Sequence, residues 1–167
     1  MLFICTSIQA AGVRVKAEHR TETTARVSYG SGCFIEKNRV VTAWHVIDGG
    51  GDIYVEIDGD WIRAKVIKHD AKTDLALLQT KAESKDVVKL VKAEQWTVSA
   101  SDESQEISVK SAGNFGGTIT SKVKNGNSGG PLLNGKGELV GIVLARSLDE
   151  ESGYYISADL VRAFLKD

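Results

Sequence analysis

A chain of 167 residues is long enough for one compact unit or two small halves sharing a core. Its 42% hydrophobic and 26% charged residues are ordinary for a globular protein. The net charge of −1, with acids and bases interspersed, gives no electrostatic basis for nucleic-acid binding, and no apolar stretch approaches the ~18 residues of a membrane helix.

The first residues, Met1–Ala10, are apolar, but they lack a basic leading region and their apolar core is too short for a signal peptide. They are expected to form a leading strand or arm. Two cysteines, Cys5 and Cys33, do not make a disulfide framework, although a bond between them is compatible with the count. The cysteine pattern favours an intracellular, bacterial or virus-encoded setting, with a periplasmic or secreted one as the alternative.

Short β-rich runs then recur between Gly, Asn and Asp residues. Strands are expected at Val13–Lys16, Ala25–Glu36, Arg39–Thr42, Ile53–Ile57, Trp61–His69 and Leu75–Thr80. Asp58-Gly59-Asp60 is a hairpin turn between two of them. The Arg39–Thr42 strand leads into Ala43-Trp44-His45, which sets a histidine at the mouth of a buried strand, a fitting place for a general base. Of the other histidines, His19 lies among charged residues and His69 at a strand end, both expected at the surface. Asp74 opens Asp74-Leu75-Ala76-Leu77-Leu78. A carboxylate entering so apolar a strand needs a partner. Asp70, the nearest competitor, has no comparable run after it.

Lys81–Asp86 is charged and reads as a linker, dividing the chain into residues 1–82 and 83–167. The second half is expected to hold strands at Val87–Val91, Trp96–Ala100, Glu106–Lys110, Thr118–Val123, Pro131–Leu133, Leu139–Ala145 and Tyr154–Ile156. Asn134-Gly135-Lys136-Gly137 is a second hairpin turn. Leu160, Val161, Phe164 and Leu165 fall at helical spacing in Ser157–Lys166, with Ser157 or Asp159 available to cap it.

Within the second half, Gly126-Asn127-Ser128-Gly129-Gly130-Pro131 holds a serine among glycines in a chain with one proline. Glycine permits unusual backbone angles and close backbone approach. Such a loop can present an accessible hydroxyl beside outward-pointing N–H groups, as a serine nucleophile with an oxyanion cradle requires. Base, carboxylate and nucleophile then follow the chain order His45, Asp74, Ser128.

Thr42-Ala43-Trp44-His45-Val46, Thr73-Asp74-Leu75-Ala76-Leu77-Leu78 and Gly126–Leu133 resemble the three catalytic blocks of trypsin-like serine proteases, most closely the HtrA/Do branch. Ala112-Gly113-Asn114-Phe115-Gly116-Gly117-Thr118-Ile119-Thr120-Ser121 is similar to a fourth block of that branch. The resemblance runs from about Val13 to the end. It implies an all-β fold of two Greek-key barrels with the active site between them and a short C-terminal helix. It implies a serine endopeptidase acting through an acyl-enzyme, with catalytic His45, Asp74 and Ser128 and an oxyanion hole within Gly126, Asn127 and Ser128. The strand Gly141–Arg146 resembles the one lining the specificity pocket. Val123, Leu144, Ala145 and Arg146 are therefore expected to bind substrate, favouring a small or medium apolar side chain. Asn127 stands where zymogen-type relatives carry an aspartate, so activation by N-terminal cleavage is not expected.

One departure is a deletion: only Lys122-Val123-Lys124-Asn125 separates Ser121 from the serine loop, which shortens the second barrel. No PDZ module fits within this sequence. The competing readings are a catalytically inactive pseudoprotease that binds peptides and an esterase using the same residues. No metal-ligand spacing or cofactor motif is present. The partners implied are polypeptide substrates, with no nucleic acid, no membrane and no indicated oligomer.

Overall fold

The protein was analysed as a computed structural model that describes residues 2–4, 12–91, 98–102, 105–111, 116–119, 123–134, 136–146 and 152–166. Its strands are β1 (Leu2–Ile4), β2 (Gly12–Arg20), β3 (Ala25–Glu36), β4 (Arg39–Ala43), β5 (Asp52–Ile57), β6 (Asp60–Asp70) and β7 (Leu75–Thr80). They continue with β8 (Val98–Asp102), β9 (Gln105–Ser111), β10 (Gly116–Ile119), β11 (Pro131–Asn134), β12 (Leu139–Arg146) and β13 (Gly153–Ser157), and the helix α1 (Ala158–Lys166) closes the series.

Strands β2-β3-β4-β7-β6-β5 close into an antiparallel barrel. The β5–β6 connection is the two-residue turn Asp58-Gly59, with φ of 53° and 90°. Two positive φ values are what a type I′ hairpin turn demands. The second half forms one sheet in the order β1-β11-β12-β13-β10-β9-β8. Its edge strands β1 and β8 lie beside each other, so the sheet curls. The β11–β12 turn is held by the Asn134 carboxamide oxygen, which accepts from the N–H groups of Lys136 (2.9 Å) and Glu138 (3.0 Å). At the start of α1, Ser157 Oγ accepts from Leu160 N–H at 3.3 Å and so caps the helix.

Three apolar clusters organise the molecule. Val15, Phe34, Val40, Val55 and Leu78 fill the barrel. Ile119, Leu132, Val143 and Tyr155 belong to the second sheet. The third joins the halves: Val41, Leu75 and Leu77 from outside the barrel meet Leu139, Ile142, Val161 and Phe164. Strand β7 thus sends Ala76 and Leu78 inward and Leu75 and Leu77 outward, and both sets are buried. That double burial explains why its sequence is a continuous apolar run rather than an alternating one.

Two segments depart from the sequence reading, and a third is described only in part. Leu2–Ile4 pairs with β11 in the second sheet (Leu2 opposite Asn134), so residues 1–82 do not all belong to the first half. Val87–Val91 is not a strand of either sheet. It is a crossing segment whose hydrogen bonds are shared, Val88 N–H going to Phe34 O (2.8 Å) and Val91 N–H to Leu139 O (3.1 Å), with a single bridge at Leu90. The Thr118–Val123 strand is described only as Gly116–Ile119, and residues 112–115 and 120–122 of the expected blocks lie outside the described residues.

Leu78 is fully buried inside the barrel. Leu78→Ala is expected to lower unfolding stability by about 2–5 kcal/mol, read as a lower denaturant midpoint with unchanged slope.

Candidate active site

His45 lies in a single 3₁₀ turn (Trp44–Val46) that follows β4 directly, and Asp74 immediately precedes β7. The β4–β7 register pairs Ala43 with Leu75, so the two side chains emerge together at one end of the ladder. Asp74 Oδ2 lies 2.6 Å from His45 Nδ1, and Asp74 Oδ1 accepts the His45 backbone N–H at 2.8 Å. The Asp74 carbonyl also accepts Trp44 N–H at 2.9 Å. To make all three contacts Asp74 adopts φ 54°, a left-handed conformation that aspartate tolerates better than most residues. The hydrogen bond to Asp74 raises the His45 pKa above the ordinary histidine value; partial burial opposes the rise, and the charges of Asp74 and Asp48 add to it.

The competing groups have other roles. Asp70 caps its own turn, accepting Lys72 N–H and the Thr73 hydroxyl, each at 2.9 Å. His69 packs edge-on against Trp44, with ring centroids 3.9 Å apart. His19, expected to be solvated, is half-buried with its ring set against Gly49.

The serine loop reaches the barrel from the second half. Ser31 N–H donates to Ser128 O at 2.7 Å, and Ser31 Oγ donates to Gly126 O at 2.6 Å. Gly129 N–H donates to Val143 O at 2.7 Å. Gly129 has φ +84°, and a Cβ there would overlap Ser31 O, Thr42 Oγ1 and Ala43 N. The loop therefore sits directly on the end of β4, two residues before His45. Gly30 fills the space between Val46 and Ser128: a Cβ on it would lie 2.6 Å from Val46 Cγ2 and 2.9 Å from Ser128 O. Sequence reasoning missed this docking surface, although Gly30-Ser31-Gly32 was its visible mark.

The loop backbone sorts the expected oxyanion donors. Asn127 N–H is engaged by Lys124 O at 3.1 Å, closing a turn in which Gly126 has φ +91°. Asn127 is therefore not available as a donor. The N–H groups of Gly126 and Ser128 donate to no acceptor among the described residues. No hydrogen bond joins Ser128 Oγ to His45 among the described residues. In unliganded sites that bond commonly tightens only with substrate. A cleft of about 600 Å³ opens beside the loop, lined by Arg14, Tyr29, Ser31, Glu56, Asn125 and Gly126.

Of the expected substrate-binding residues, Val123 is 2% exposed and belongs to the core of the second sheet. An apolar side chain in so short a connection is drawn inward. Leu144 is half-buried and packs against both the barrel core and the layer between the halves. Ala145 and Arg146 pair in β12 with Tyr154 and Gly153; their side chains lie outside the described residues. Among the described residues no group of His, Cys, Asp and Glu side chains is placed to hold a metal.

The trypsin-like peptidase domain family matches residues 30–117, and the trypsin family matches 113–165. The chain belongs to the trypsin-like peptidase family. Among curated relatives, a probable periplasmic serine endoprotease DegP-like of Marinomonas sp. is 37% identical over 138 residues, covering 70% of this chain and 29% of its own length. The putative serine protease HhoB of Synechocystis sp. is 28% identical over 147 residues, covering 73% and 35%. The chain thus spans about a third of the length of these trypsin-like relatives. Among solved structures, the active form of the Rv3671c protease from M. tuberculosis superposes with a TM-score of 0.81 at 22% identity, covering 98% of this chain and 82% of that one. Its inactive form gives 0.76 at 21%, covering 98% and 91%. These two likenesses concern the fold.

Gly129→Ala places a Cβ where three barrel atoms lie, in a backbone conformation costing about 1–3 kcal/mol for a non-glycine residue. It is expected to lower the unfolding midpoint, measured by thermal or denaturant unfolding against wild type.

Proposed function

We propose that this chain is a serine endopeptidase in which His45, Asp74 and Ser128 act together. The observation that carries the reading is the bidentate hold of Asp74 on His45 at 2.6 and 2.8 Å. With Nδ1 committed to Asp74, Nε2 is the nitrogen left for the serine hydroxyl. Ser128 Oγ attacks the peptide carbonyl as its proton passes to His45 Nε2. The N–H groups of Gly126 and Ser128 receive the developing oxyanion. Collapse breaks the C–N bond as His45 returns the proton to the departing amine. Water, deprotonated by His45, then hydrolyses the acyl-serine. Asp74 stabilises the imidazolium in each step without itself taking the proton.

The names of the DegP-like relatives place them in the periplasm, which supports a periplasmic setting here; the intracellular preference drawn from the cysteines has no such support.

A fluorophosphonate is expected to label the folded protein at Ser128. Labelling disappears in Ser128→Ala and collapses in His45→Ala. Folded protein that never labels between pH 5 and 9 would instead indicate a peptide-binding module that keeps the fold. Asp74→Asn retains the turn but disturbs the tautomer, and is expected to lower kcat by about 10⁴-fold on a chromogenic peptide.

The His45 pKa is raised, so the imidazole becomes neutral, and able to act as base, above the ordinary histidine range. The acid limb of kcat/KM is expected to have its midpoint above about 6.5. By NMR the His45 midpoint falls in Asp74→Asn. Stability has the opposite sign. The protonated pair stabilises the fold fully below the unfolded-state value, and that contribution is lost as pH rises through the raised one.

A further inference from the structure

We infer that Ser31 is a positioning residue for the oxyanion hole: its hydroxyl and N–H grip the serine loop at two carbonyls and set where the Gly126 and Ser128 N–H groups stand relative to His45. This rests on the function proposed above.

The peptide unit joining Gly126 to Asn127 is held at both ends. Its carbonyl accepts Ser31 Oγ at 2.6 Å, and its N–H donates to Lys124 O at 3.1 Å. That unit lies between the two peptide units that carry the Gly126 and Ser128 N–H groups. One peptide unit past the second donor, Ser31 N–H donates to Ser128 O at 2.7 Å. A single residue of the barrel therefore grips the donor segment at two points. Ser31 is itself anchored, because its carbonyl accepts Thr42 Oγ1 at 2.7 Å, and Thr42 is fully buried in β4, three residues before His45. A continuous path of short hydrogen bonds thus runs from the strand of the base to the cradle of the oxyanion.

Two further observations give the hydroxyl a purpose. Gly30 and Gly32 leave no room for side chains on either side of Ser31, so the chain passes tightly between Val46, Val40 and the loop. On the loop's own side, Lys124 is exposed and only four residues separate Ser121 from Gly126. Ser31 adds a hold on the loop from the opposite half of the molecule. The backbone bond to Ser128 O survives any substitution of the side chain; the bond to Gly126 O does not.

The test compares wild type with Ser31→Ala, each checked for cooperative thermal unfolding. Removing one oxyanion donor outright costs about 10²–10³ in turnover. Loosening both through their support is expected to lower kcat by about 10- to 100-fold on a chromogenic peptide, with KM little changed. The affinity of a peptidyl boronate, whose tetrahedral oxygen occupies the hole, falls in parallel with kcat. The acid limb of the pH profile stays where it is in wild type, because His45 and Asp74 are untouched. A Ser31→Ala protein with wild-type kcat and boronate affinity overturns the inference and leaves the protease reading standing. So does one whose loss is confined to KM or is accompanied by a shifted acid limb. Wild-type protein inert to fluorophosphonate overturns both.

Discussion

Strands β4 and β7 are covered on both faces, by the inside of the barrel and by the second sheet with α1. A one-residue slip between two such strands would turn every buried side chain to the wrong side, so their register is strongly specified. His45 lies just past the end of β4 and Asp74 just before β7, and the pairing of Ala43 with Leu75 fixes the gap between them. The separation of His45 and Asp74 is thus a by-product of hydrophobic burial. No polar network is needed to bring the two together; the polar contacts refine a juxtaposition that the core has already imposed. The left-handed Asp74 belongs to the same arrangement, since the packed strand beyond it holds a conformation that an exposed loop would relax.

The second half contributes the serine loop, and its placement works differently. Here Ser31 donates across the halves from its N–H to Ser128 O and from its hydroxyl to Gly126 O, beside Gly30 and Gly129, which have no space for a Cβ. The apolar layer around Leu139, Ile142 and Phe164 supplies the attraction that presses the halves together, while the loop contacts decide how they meet. α1 adds to this closure: Val161 and Phe164 enter the layer, and the Lys68 ammonium of the barrel hydrogen-bonds the Phe164 carbonyl.

Much of this was legible in the amino-acid order because turns and apolar runs are local signals. β3 and β7 begin and end where their flanking polar and glycine residues indicated. The positions of His45, Asp74 and Ser128 stood out because each interrupts such a pattern. What was illegible depends on partners far away in sequence. The burial of Val123 depends on second-sheet residues such as Leu132, Val143 and Tyr155, which lie elsewhere in the sequence. Val87–Val91 has strand composition, yet its hydrogen-bonding groups are divided between the two halves. Asn127 could not be set apart from its neighbours as a donor, because only the turn through Gly126 shows that its N–H is occupied.

Strand β1 carries a consequence of another kind. It precedes the barrel strands in sequence, yet its partner β11 follows all of them, with Leu2 facing Asn134. The six strands β2–β7 of the barrel all lie within residues 12–80. β1 has to wait for most of the chain, and pairings of such long sequence separation form late. The serine loop enters β11 directly, so it reaches its dock on the barrel in the same closing stage. The order of synthesis thereby separates two stages: the strands that carry His45 and Asp74 are made first, and the loop that carries Ser128 reaches them only with the later strands.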